Sequence, residues 1–76
     1  MYRIEVALNV EPKSRVVREL VEIRVFDENK QIDTIKQDKF FDFSWLAGRR
    51  YSFVGRQSSL IVFGESISYV AFFADS

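Results

Sequence analysis

The run RRYSFVGRQSSLIVFGESISYVAFFA, residues 49–74, decides the fold class of this 76-residue chain. Its middle, Leu60-Ile61-Val62-Phe63, is apolar at four successive positions. In a strand that pattern demands cover on both faces, so the segment reads as the central and most buried strand. Polar or glycine-containing breaks at Gly55 to Ser59 and Gly64 to Ser66 separate it from Arg50 to Val54 and from Ile67 to Ala74. The three pieces read as a meander.

Upstream, Tyr2 to Val10 alternates, with Tyr2, Ile4, Val6, Leu8 and Val10 on one face and Arg3, Glu5, Ala7 and Asn9 on the other. That is a strand with one wet face. Glu11-Pro12-Lys13-Ser14 suits a type I turn, since the fixed φ of proline matches its second position. Two periods fit the next segment. Val17, Val21, Ile23 and Val25 share a strand face, while Val16, Val17, Leu20, Val21 and Arg24 share a helix face behind a candidate Ser14 cap. The β-branched alternation from Val21 onward favours a strand over Val16 to Asp27, hairpinned to the first. Asp27 to Lys30 is a turn. Gln31 to Lys36 follows as a polar edge strand pairing back onto Val21 to Phe26. Lys39 to Phe43 reads as a strand, followed by one helical turn capped by Asp42 or Ser44 and stopped at Gly48.

The expected fold is therefore mainly β: a small antiparallel sheet or partly closed barrel of about six strands, with at most one or two short helical turns. The alternative is an α+β fold with a helix near residues 15–21. No repeat or Gly/Ser/Pro linker divides the chain, so residues 1–76 read as one domain. With 47% apolar residues and twelve aromatics, eight of them Phe, the chain has material for a dense core.

Composition removes several function classes. The chain has no cysteine and no histidine. It thus lacks disulfides, thiolate nucleophiles, the commonest general base and the commonest zinc ligands. Ser44, Ser52, Ser58, Ser59, Ser66 and Ser68 lie in no nucleophile elbow, and Gly48, Gly55 and Gly64 form no phosphate cradle. Asp27 to Asp33 superficially resembles a calcium loop, but Ile32 stands where that loop needs glycine and its twelfth position is Asp38 in place of the usual Glu. The expectation is a non-enzyme with no cofactor and no metal. Met1 to Glu5 shows no apolar signal core, and the longest apolar run, Val70 to Ala74, is too short to span a bilayer. A cytoplasmic protein without membrane attachment is expected. Eleven basic and eleven acidic residues cancel, so recognition by charge must be local.

The local signal is Arg49-Arg50-Tyr51-Ser52-Phe53-Val54-Gly55-Arg56, three arginines interleaved with two aromatics. Such a strand can supply phosphate contacts and a stacking platform. It resembles in part the first ribonucleoprotein motif of RNA-recognition domains: Arg49 matches the basic start, Tyr51 the first aromatic and Phe53-Val54 the core pair. Arg50 and Ser52 fill small-residue positions, and Arg56 replaces the last aromatic. The resemblance covers eight residues, and Leu60 to Phe63 stands where the family has its second helix, so the family's function is not carried over. The structural alternative has Tyr51 and Phe53 packed inward, with Arg50, Ser52 and Arg56 facing water.

Two functions follow. The first is a non-catalytic protein-binding module that occupies a surface of a larger partner as an inhibitor or modulator. Its partner-binding residues are Phe40, Phe41, Phe43, Trp45, Arg49, Arg50, Tyr51 and Arg56, a composition typical of interface hot spots. A chain of this size suits a phage or mobile-element protein. The second is a small single-stranded nucleic-acid-binding β-barrel using Arg49 to Arg56, ranked lower because zero net charge gives little phosphate neutralisation. Ile67 to Ala74 turns apolar on both faces toward its end. It must therefore lie inside the sheet, beside Tyr2 to Val10, or pair with its copy in a homodimer with Phe72 or Phe73 at the contact. The aromatic surplus favours the homodimer slightly.

Overall fold

The computed structural model describes residues 1–42 and 44–74. Its elements are β1 (Tyr2–Leu8), β2 (Ser14–Asp27), β3 (Lys30–Ile35), a 3-10 turn (Gln37–Asp42), β4 (Arg49–Gly55), β5 (Ser59–Phe63), a second 3-10 turn (Gly64–Ser66) and β6 (Ile67–Ala74). Strands hold 64% of the described residues in one six-stranded antiparallel sheet that does not close.

The sheet is organised around β2. Its first half pairs with β1 and its second half lies between β3 and β4, giving the order β5-β4-β2-β1-β6 with β3 beside β2. A straight strand of 14 residues would run about 45 Å at about 3.3 Å per residue. The molecule's longest extent is only 35 Å. The strand bends accordingly, at Glu19 (φ 51°), where its registers with both β1 and β4 shift around Leu20. The bend lets the inward residues of both halves face one core. That core holds Ile4 and Val6 of β1, Val17, Leu20 and Ile23 of β2, and Tyr51 and Phe53 of β4. Phe40, from the first 3-10 turn, is also in it at 1% exposure.

The strand reading of residues 16–27 holds, as do the β1–β2 hairpin and the pairing of β3 onto the end of β2. The β1–β2 reversal is a bend over residues 9–13, with a cis Glu11–Pro12 bond and the Leu8 N–H donating to the Lys13 carbonyl at 2.7 Å. Three expectations are corrected. Leu60 to Phe63 is not central: β5 is an edge strand, with Ile61 60% and Phe63 54% exposed. Leu60 is buried and Val62 packs against the core, but among the described residues no second layer covers the opposite face. The meander also breaks after β5, because the Gly64–Ser66 turn sends β6 to the far end of the sheet, beside β1. Finally, the strand expected over Lys39 to Phe43 is a 3-10 turn as far as Asp42, and Phe43 lies outside the described residues. The Lys39 N–H donates to the Lys36 carbonyl at 2.9 Å, opening a 3-10 turn that drops Phe40 into the core, and residues 44–46 run irregularly to the turn at Gly48.

Candidate protein-binding surface

Antiparallel pairing places cross-strand partners on the same face of a sheet. Between β4 and β5, Tyr51 pairs with Val62 and Phe53 with Leu60, toward the core. The alternate pairs, Arg50 with Phe63 and Ser52 with Ile61, therefore share the outer face. Across β2 the same rows continue, since Phe26 lies opposite Arg50 and Arg24 opposite Ser52. Two rows cross the outer face: Phe63, Arg50, Phe26, and beside it Ile61, Ser52, Arg24. The Arg50 guanidinium lies 5.1 Å from the Phe26 ring centroid, which holds the side chain flat on the sheet by cation–π attraction. Ser52 is only 7% exposed although it faces outward, between Ile61 and Arg24 in its row.

Next along β2 is Glu22, a carboxylate only 9% exposed. It accepts hydrogen bonds from Lys36 Nζ and Arg24 Nε, each at 2.5 Å. The Lys36 bond first, and the Arg24 bond after it, hold its carboxyl below the usual range against the opposing effect of burial. Glu22 stays ionised between Lys36 and Arg24, so the β2–β3 part of the face is charged while the β5 part is apolar.

Residues 44–48 lie beside Tyr51 and the second 3-10 turn. The Leu46 N–H donates to the Tyr51 hydroxyl at 2.7 Å, and the Gly48 N–H donates to Glu65 Oε1 at 3.1 Å. Glu65's own backbone N–H and that of Gly48 lower its carboxyl pKa. Gly48 sits at φ 85°, a conformation that favours glycine. Gly64 is buried against the Leu46 carbonyl so closely that any Cβ there would overlap it, which requires glycine at this position. Leu46 stays 49% exposed, on the side of the sheet where the Tyr51 ring lies.

The sequence-predicted contact residues do not come together. Phe40 and Tyr51 are each 1% exposed and belong to the core, out of reach of any partner. Phe41 is exposed, with its ring edge against Tyr2 at 5.6 Å and Phe72 at 5.2 Å. Phe43 lies outside the described residues. Trp45 is half-buried against the core. Arg49 is half-buried opposite Asp27, Arg50 is on the outer face, and Arg56 is exposed in the β4–β5 turn. The pair that would stack bases in a ribonucleoprotein motif, Tyr51 and Phe53, is buried, in agreement with the structural alternative, although Ser52 is covered and not wet. Phe72 turns inward and stacks on Phe40 at 5.4 Å, whereas Phe73 is 40% exposed beneath the Arg3 guanidinium.

Phe26, Ile61 and Phe63 were missed as surface residues. No polarity pattern marks Ile61 and Phe63, since Leu60 to Phe63 is apolar throughout; they emerge as outward only from the β4–β5 register, once Tyr51 and Phe53 are taken as inward, and Phe26 follows from its pairing with Arg50. Comparison with protein-family models, with curated proteins and with solved structures returns no match, so the surface is read from its own geometry. Among the described residues, no helix is long and apolar enough to cross a membrane.

Proposed function

We propose that the chain is a non-catalytic protein-binding module that occupies a surface of a larger partner, and modulates it, through the outer face of β5-β4-β2. The observation that carries this reading is the row Phe63, Arg50, Phe26 with Ile61 beside it. Two large apolar side chains are more than half exposed next to an arginine already held flat on an aromatic ring. Aromatic and arginine anchors on a rigid sheet bind at low cost in side-chain ordering. The absence of cysteine suits action in the reducing cytoplasm.

The nucleic-acid reading ranks second. Its stacking pair is in the core, and the lysines and arginines are matched by an equal number of carboxylates.

The test is affinity capture from nuclease-treated lysate with three baits: the native chain, an Ile61→Asp/Phe63→Asp variant, and an Asp33→Ala control on β3. The reading expects a protein that the native and control baits retain and the double variant loses, with circular dichroism unchanged. Capture that persists with the double variant, or that disappears on nuclease treatment, overturns it.

A further inference from the structure

The sheet has several open edges, and they differ in how they are protected. β3 carries Lys30 and Asp33, and the first half of β2 carries Arg15 and Arg18, charges of the kind that keep an edge from pairing. β6 carries no charge, no proline and no glycine over its eight residues, and it pairs only with β1 among the described strands. β5 is also uncharged but offers five residues.

We infer that the free edge of β6 pairs antiparallel with β6 of a second copy, across a two-fold axis at Ala71. The occupant follows from the pattern of the strand itself. With Ala71 on the axis, Tyr69 of one copy lies opposite Phe73 of the other, and Val70 opposite Phe72. Tyr69, Ala71 and Phe73 lie on the outer face, since their β1 partners Ala7, Glu5 and Arg3 alternate with the buried Ile4 and Val6. A small residue sits at the axis and an aromatic pair forms on each side of it, so large meets large only where there is room for both. Tyr69 is 62% and Phe73 40% exposed in the single chain. An uncharged strand meets no like charge in its own copy, and a two-fold contact closes at the dimer. This edge lies at the opposite end of the sheet from β5, so the dimer leaves the Ile61 and Phe63 surface open.

The chain's lack of cysteine makes cross-linking a clean test. Facing Cα atoms in an antiparallel pair are about 4.5 or 5.5 Å apart, within the span of about 4.4 to 6.8 Å that a disulfide bridges. Ala71→Cys is therefore expected to give a disulfide-linked dimer under mild oxidation, much faster than Asp33→Cys on β3. Sedimentation of the native chain at micromolar concentration is expected to give twice the 8.9 kDa chain mass. Ala71→Lys, which opposes two ammonium groups at the axis, is expected to give a monomer with unchanged circular dichroism. A native mass of 8.9 kDa, or Ala71→Cys cross-linking no faster than Asp33→Cys, overturns the inference. So does a mass that grows without limit, the signature of head-to-tail β5–β6 pairing.

Discussion

The Tyr51 hydroxyl accepts a hydrogen bond from the Leu46 backbone N–H at 2.7 Å, so a side chain with 1% exposure reaches out of the core to hold a surface segment. Tyr51→Phe keeps the ring and removes the acceptor. It is expected to cost about 0.5 to 1.5 kcal/mol in urea unfolding. The Leu46 amide should also exchange with solvent faster, and an unchanged exchange rate would show that this bond does not hold the segment.

Exposure separates two apolar residues that look equivalent in the sequence. Phe53, at 0% exposure, should lose about 3 to 5 kcal/mol on replacement by alanine through cavity formation. Ile61, at 60%, should change stability by no more than about 0.5 kcal/mol. Denaturant midpoints of the two variants check this, and comparable losses would mean that β5 is covered after all.

Acid stability should depend on Glu22. Its folded pKa lies below the ordinary 4.5 because Lys36 and Arg24 bind the carboxylate. The unfolded chain therefore takes up the proton first as pH falls, and the stability contributed by Glu22 is fully present above 4.5 and lost as pH drops through the lower folded value. Glu22→Gln should flatten the acid limb of a stability–pH curve. Glu65, whose pKa is lowered by its own and the Gly48 N–H, contributes in the same direction, so some slope should remain. An acid limb identical in the Gln variant would assign the slope to other carboxylates.

Binding of single-stranded RNA at physiological salt should be absent. If Arg49, Arg50 and Arg56 each neutralised a phosphate, log affinity would fall with log salt with a slope of about −2, and replacing all three with Gln would abolish that slope. Fluorescence anisotropy with a labelled oligonucleotide measures it directly. Salt-sensitive micromolar binding by the native chain would put the nucleic-acid reading first.

Much of the fold is legible in the residues because alternation is a local property. The period of two in Tyr2 to Leu8 specifies which side chains share a face, and the charges of β3 mark it as an edge; in β2 the expected row Val17, Val21, Ile23 and Val25 is broken, because the register shift between Leu20 and Glu22 buries Leu20 and leaves Val21 39% exposed. The surface was less legible. Phe40, Phe41 and Trp45 are close in sequence, yet a 3-10 turn sends Phe40 into the core and leaves Phe41 outside, because neighbours at that pitch point in different directions. Phe26 and Phe63, 37 positions apart, lie in one row because each faces Arg50 across a strand pair.

The sequence by itself determined that this chain is β-rich, where its six strands lie to within a few residues though it added a seventh at Lys39 to Phe43, and that β1 and β2 form a hairpin. Those follow from side-chain period and from short connections, which act over a few residues. Only the tertiary structure decided which strand is central and which apolar residues stay exposed. Burial of Leu60 to Phe63 depends on what lies above and below the strand: one side of β5 meets the core through Leu60 and Val62, while Ile61 and Phe63 on the other stay exposed.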